Sequence, residues 1–175
     1  MYSNITKQNS EILKQCVMSK SDPLYREYGG YHTGVDITGD SVYALYSGTI
    51  VLVNEDTSGM CVILHVDSEF CLSYKHIDTV TVHSGDEVSQ GDKIGDVTKY
   101  VHVELLTYEP SIWPVRIGSE TWYKHDITQL LSSGYMRSNA PQFSSMRIVE
   151  LSDYPSGSAD VISDYSRFVL SNNKG

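Results

Sequence analysis

The chain has 175 residues, a length that fits one domain with an appendage. Its formal net charge is −9, with 13 Lys and Arg against 22 Asp and Glu, which excludes electrostatic capture of nucleic acid or of an anionic membrane. No apolar run reaches the ~20 residues that span a bilayer, yet a hydrophobic fraction of 40% is enough for a core.

Met1 to Ser10 is polar and carries no apolar leader core, so synthesis in the cytoplasm is expected, with any route outward not written as a signal. A short helix is expected around Ser10 to Met18, and Gly29-Gly30 then interrupts the chain. His32-Thr33-Gly34-Val35-Asp36 follows. Two β-branched residues flank Gly34, which disfavours a helix and predicts a loop entering a strand, bent at Gly34. From Val35 to Glu104 the reading is β. Short runs rich in β-formers stand at 42–46, 49–53, 61–65, 71–76 and 100–105, punctuated by Gly and Asp. Regular punctuation of this kind predicts an all-β fold, an antiparallel sheet or barrel-like core of duplicated-hairpin type. Residues 108–124 read as aromatic and irregular, with Pro110 and Pro114 blocking regular structure. Asp126 is placed to cap a helix, with Gln129 completing a capping box. Residues 132–175 are polar, with one amphipathic helix expected at 159–170.

Three cysteines, Cys16, Cys61 and Cys71, have no ligand-like spacing. In a hairpin turning at Asp67-Ser68-Glu69, Cys71 falls opposite about His65 and Cys61 opposite about Lys75. The two are not cross-strand partners, and buried free thiols are expected.

His32 and Asp36, four apart, plus the distant His102 supply the three protein ligands of a catalytic zinc, the fourth position going to water or substrate. Strand alternation puts Tyr100, His102 and Glu104 on one face and Val101 and Val103 on the other. The same alternation groups Tyr74, His76 and Asp78. Two strands that each present a His beside a Tyr suit the floor of a groove. A lone His-x-x-x-Asp pair is common by chance, and a strand histidine such as His102 is often only hydrogen-bonded. His65 reads as a turn residue, and His83 and His125 read as solvated. Glu104 reads either as a group orienting His102 or as a solvated strand glutamate.

Order and context narrow the choice. The run His32-Thr-Gly-Val-Asp36-Ile37 is followed by Ala44, by Gly48-Thr-Ile50 and by Val62-Ile-Leu-His65. Next come Tyr74-Lys-His76-Ile77 and the spaced series Val82, Gly85, Val88, Gly91, Ile94, Gly95. Tyr100-Val-His102-Val-Glu104 closes the set. In this order the run from Tyr31 to Leu105 resembles the lysostaphin-type (LytM-type) zinc peptidases, which cut peptidoglycan. The resemblance implies zinc held by His32, Asp36 and His102, and His76 as the catalytic histidine. Zinc lowers the pKa of a water to ~7 and polarises the scissile carbonyl. Tyr100 stands where that family has the first His of H-x-H, and its hydroxyl is a hydrogen-bond donor for an oxyanion. The loop before it is shortened to Asp96-Val-Thr-Lys99.

The resemblance implies three segments: a lead-in at 1–30 packing on the core, a metallopeptidase domain at 31–131, and an extension at 132–175. It further implies an endopeptidase for peptide cross-links of bacterial peptidoglycan, a phage lysin or a wall-degrading tail component. The extension would then dock to other phage tail proteins, and the enzyme would act at the cell wall as a virion component. A second reading keeps the fold as a catalytically inactive binding or structural module, with Tyr100 as its evidence. A third, a biotinyl/lipoyl or phosphotransfer carrier, shares the Val-Gly spacing but leaves His32, Asp36 and His102 unexplained.

Overall fold

A computed structural model describes residues 12–66, 70–128 and 130. In chain order the elements are β1 (Ile12–Lys14), α1 (Pro23–Tyr28), β2 (Val35–Thr38), β3 (Ser41–Tyr43), β4 (Gly48–Asp56) and β5 (Gly59–His65). They continue with β6 (Phe70–Ile77), β7 (Thr79–Val80), β8 (Glu87–Val88), β9 (Lys93–Asp96), β10 (Tyr100–Thr107), β11 (Pro114–Ile117) and β12 (Glu120–His125). The main sheet runs β1-β2-β10-β6-β5-β4-β8, and a small sheet runs β3-β9-β7. All pairings are antiparallel. The fold is thus all-β and antiparallel as expected, but the described strands form open sheets and not a closed barrel.

β10 is the spine of the molecule. β6 lies along one side of it. On the other side β2 pairs with its first half and β12 with its last three residues. Alternation along β10 gives the sheet two faces. Val101, Val103 and Leu105 join Val35, Ile37, Leu72, Tyr74, Val62 and Leu64 in the main core. Leu106 joins Cys71, Ile63, Cys61, Leu52, Trp122 and Val115 in a second cluster. The polar side chains of β10, His102 and Glu104, alternate with the core residues and so share the second face. Tyr74 ties the core to the loop after β3, its hydroxyl accepting from Leu45 N at 3.0 Å.

Three expectations fail. Residues 12–14 are a strand on β2, and Val17 bridges to His32, so the described part of that segment, 12–18, is not helical. The helix sits later, in α1, where Asp22 caps Leu24 N at 3.0 Å, Pro23 opens the first turn and Gly29 closes it at φ 71°. Nor is 108–124 irregular. Pro114 begins an edge strand, where its missing N–H costs nothing, and β11–β12 form a hairpin. His125 is buried at 2% exposure, its Nε2 donating to Glu109 O at 2.7 Å, and is not solvated. His83 is exposed as expected, and His65 ends β5 edge-on to Trp122. The three cysteines are buried and form no disulfide, and Cys71 lies opposite His65 in the β5–β6 register. Asp126 accepts from Thr128 N at 2.9 Å, as a cap should. The 67–69 turn, Gln129 and the expected helix at 159–170 lie outside the described residues.

Candidate metal centre

The register of β2 on β10 places Asp36 directly opposite His102. Antiparallel neighbours on one face are within side-chain reach, and Asp36 Oδ1 lies 2.6 Å from His102 Nδ1. The same oxygen is 3.3 Å from His32 Nε2. Ligand atoms of all three residues lie within 4.8 Å of one another. His32 reaches the cluster from the loop before β2, where its main chain is bridged to Val17.

Gly34 makes this approach possible, for a different reason from the expected bend. A Cβ there would lie 2.3 Å from Val103 O, 2.8 Å from His102 Nε2 and 2.9 Å from Glu104 Cγ. The loop presses flat against β10, and only a residue without a side chain fits.

Each imidazole is oriented from behind. His32 Nδ1 lies 2.8 Å from Gln15 O and, facing a carbonyl, must donate; Nε2 is the nitrogen turned toward Asp36. His102 Nε2 lies 3.0 Å from Glu104 Oε1, which frees Nδ1 toward the same point. Backing of this kind is what metal-binding histidines receive. Two inward imidazole nitrogens and one carboxylate form a donor set that fits a divalent zinc. Glu104 is buried at 1% exposure, which settles against the solvated alternative.

The charges agree with this arrangement. Burial alone would raise the Asp36 carboxyl, but hydrogen bonds from His102 and His32 outweigh it and hold it well below the usual carboxylate range. Burial would likewise lower His102, yet the bonds to Asp36 and Glu104 raise it. Burial also works against Glu104, and the cations Lys124 and Lys75 reverse it, so Glu104 stays anionic.

His76 is brought to the same site by an irregularity. Met60 pairs with Ile77 and Val62 with Tyr74, so β6 carries one residue more than β5 between those pairs. This is a β-bulge, a device that re-aims a side chain. His76 in it has φ 63°, the left-handed region that non-glycine residues seldom occupy. The expected grouping of Tyr74, His76 and Asp78 on one face therefore fails. Tyr74 stays in the core, and Asp78 instead accepts from Thr98 N at 2.6 Å. The His76 ring turns to lie 5.8 Å from that of His102 and 5.4 Å from that of Tyr100. Burial, then the nearby His102, pulls His76 below its ordinary pKa and keeps it neutral. Tyr100 is half-buried, and burial with the Asp36 charge raises its hydroxyl, which remains protonated.

Behind Glu104 lie groups that sequence reasoning missed. Lys124, at 1% exposure on β12, donates to Glu104 Oε1 and to Thr33 Oγ1, both at 2.7 Å. Thr33 donates to Glu104 Oε1 at 2.8 Å. The only sequence signal was a lysine amid the aromatic run Trp122-Tyr123-Lys124-His125.

Residues 30–110 match the model of peptidase family M23. No curated protein sequence matches the chain. Among solved structures it is similar to the catalytic domain, in a mutant form, of the prophage-encoded M23 protein EnpA from Enterococcus faecalis. Identity is 23%, the TM-score is 0.51, and the match covers 63% of this chain and 90% of that one. It is also similar to lysostaphin, the antimicrobial peptidase of Staphylococcus simulans, at 20% identity and TM-score 0.55 over 78% of this chain and 55% of that one. A third likeness is to a structure of the SpoIIIAH–SpoIIQ complex, at 21% identity and TM-score 0.52, over 58% of this chain and 88% of that chain. At these identities the likenesses establish the fold.

Proposed function

We propose that the chain is a zinc endopeptidase of the M23 type that cuts peptide cross-links of bacterial peptidoglycan. One observation carries the reading: His32, Asp36 and His102 converge with both imidazoles oriented from behind. The match of residues 30–110 to the peptidase family M23 model supports it, since all three residues fall within that span. When bound, zinc would polarise the scissile carbonyl and lower the pKa of the attacking water.

The protein's own groups do the rest. Asp36, held ionised, balances part of the cation's charge. His76, neutral and beside the cluster, takes a proton from the attacking water and delivers one to the leaving amine. Tyr100 donates its hydroxyl to the oxygen that becomes negative as the peptide carbon turns tetrahedral. Lysis at the wall fits a phage role, and the prophage origin of EnpA supports that setting. The net charge of −9 does not draw the chain to anionic wall polymers, which favours delivery within a larger assembly such as a virion tail.

The test pairs elemental analysis with a turbidity assay on purified peptidoglycan. One zinc per chain and clearing of the wall suspension are expected. Zinc-loaded protein that releases no new amino termini from any wall tested would overturn the peptidase reading. A specific feature favours a second reading in that case. Tyr100 replaces a histidine, and the fold is shared with a protein solved in complex with a partner, so an inactive binding module would remain. Clearing by a Tyr100→His variant alone would identify it.

A further inference from the structure

Lys124 is a buried lysine that the proposed chemistry does not use; burial pulls its pKa down to about 7, and the Glu104 carboxylate pulls the other way. Its partners, the Glu104 carboxylate at 2.7 Å foremost, hold the ammonium form. Those partners form a chain with a direction. An ammonium can only donate. Lys124 Nζ lies 2.7 Å from Thr33 Oγ1, so the Thr33 oxygen accepts there and its own proton points elsewhere. It points to Glu104 Oε1, 2.8 Å away. Lys124 itself donates to that same carboxylate oxygen at 2.7 Å, and Lys75 Nζ stands 3.8 Å from the other oxygen. Ringed by donors, Glu104 is a carboxylate with no proton to offer. At the contact of 3.0 Å with His102 Nε2, the hydrogen must therefore come from the imidazole. Glu104 thus keeps the Nε2 proton in place and leaves Nδ1, which faces Asp36 Oδ1 at 2.6 Å, as the nitrogen a cation can take by displacing its proton.

We propose that Lys124, acting with Thr33 through Glu104, sets the hydrogen-bond direction that makes His102 present Nδ1 to a divalent cation. Lys124 and Thr33 are positioning residues. They touch neither cation nor substrate, and they come from opposite ends of the described chain, β12 and the loop before β2. The inference rests on the zinc reading for its consequence, though not for the hydrogen-bond direction itself.

The test uses the full chain with two readouts: zinc affinity by chelator competition, and solvent-exchange protection of the His102 Nε2–H proton by NMR. Lys124→Met keeps the volume and removes the donor. In folded Lys124→Met, zinc affinity should fall about 10- to 100-fold, and the Nε2–H proton should lose protection. Thr33→Val should shift both in the same direction by less, and Thr33→Ser should restore both. Wild-type affinity with a protected proton in folded Lys124→Met would overturn the proposal, even if the variant melts earlier. If Lys124→Met does not fold, Thr33→Val against Thr33→Ser decides, with wild-type values in Thr33→Val overturning it. If the wild type binds no zinc, the metal reading fails by itself. The His102 proton in metal-free Lys124→Met then decides: lost protection supports the directional chain, and retained protection overturns it.

Discussion

The two ends of the site are built differently. At the ligand end every group is braced. Asp36 and His102 stand opposite each other on paired strands, His32 is bonded to Gln15 O, and His102 to the buried Glu104. At the other end, His76 sits on a bulge at φ 63°, with Nδ1 a long 3.4 Å from Ser58 O, and meets Tyr100 through ring contact. On the proposed function, the contrast is a division of labour. A cation is gripped best by groups that cannot move, because an ordered site has already met its entropy cost. A proton-transferring group has to change partners during turnover.

The largest effect should come from the braced end. His32→Ala with His102→Ala should reduce zinc from one per chain to none by elemental analysis and abolish wall cleavage, since three protein ligands are the minimum for such a site. Stoichiometric zinc in the double variant would break the comparison at its root. At the His76 end the signature reverses. His76→Ala should keep its zinc while losing roughly 10²- to 10⁴-fold in turnover. A loss of metal there would show that the two ends are not separate. Tyr100→Phe should cost about 10- to 1000-fold in turnover with zinc and melting temperature unchanged. Activity equal to wild type would make Tyr100 a packing residue.

The acid dependence sharpens the same contrast. His76 must be neutral to accept a proton, and its pKa lies below the ordinary 6.5. Activity in the zinc-loaded protein should therefore hold as pH falls to that ordinary value and drop only below it, through the lowered pKa. An acid limb centred above 6.5 in a kcat profile would contradict a neutral, half-buried His76. The smallest effect is conformational. At φ 63° a glycine escapes a steric cost that alanine bears. His76→Gly should thus be more stable than His76→Ala by about 1 kcal/mol in denaturant unfolding.

How much of this was legible depends on distance along the chain. His32, Asp36 and His102 could be singled out because residue type and motif order survive in one dimension. The face of His102 was legible too, because alternation on β10 is strict and His102 is unambiguous on it. Alternation misplaced His76, because a single extra residue in β6 flips the face of everything near it, and the bulge depends on pairing with β5. The hairpin of β11 and β12 was hidden by Pro114, which reads as a breaker unless the strand is known to be an edge.

The sequence by itself determined the β character, the lack of a disulfide and the set of residues able to hold a cation, since those follow from side-chain chemistry and local periodicity. Tertiary structure alone decided which of them meet. It showed that Gly34 is needed for close approach to Val103 O and not for a left-handed turn. It also brought Lys124 to Glu104 across 20 residues and to Thr33 across 91. Such contacts are set by strand register and sheet order, which arise from long-range packing and leave no periodic trace in the chain.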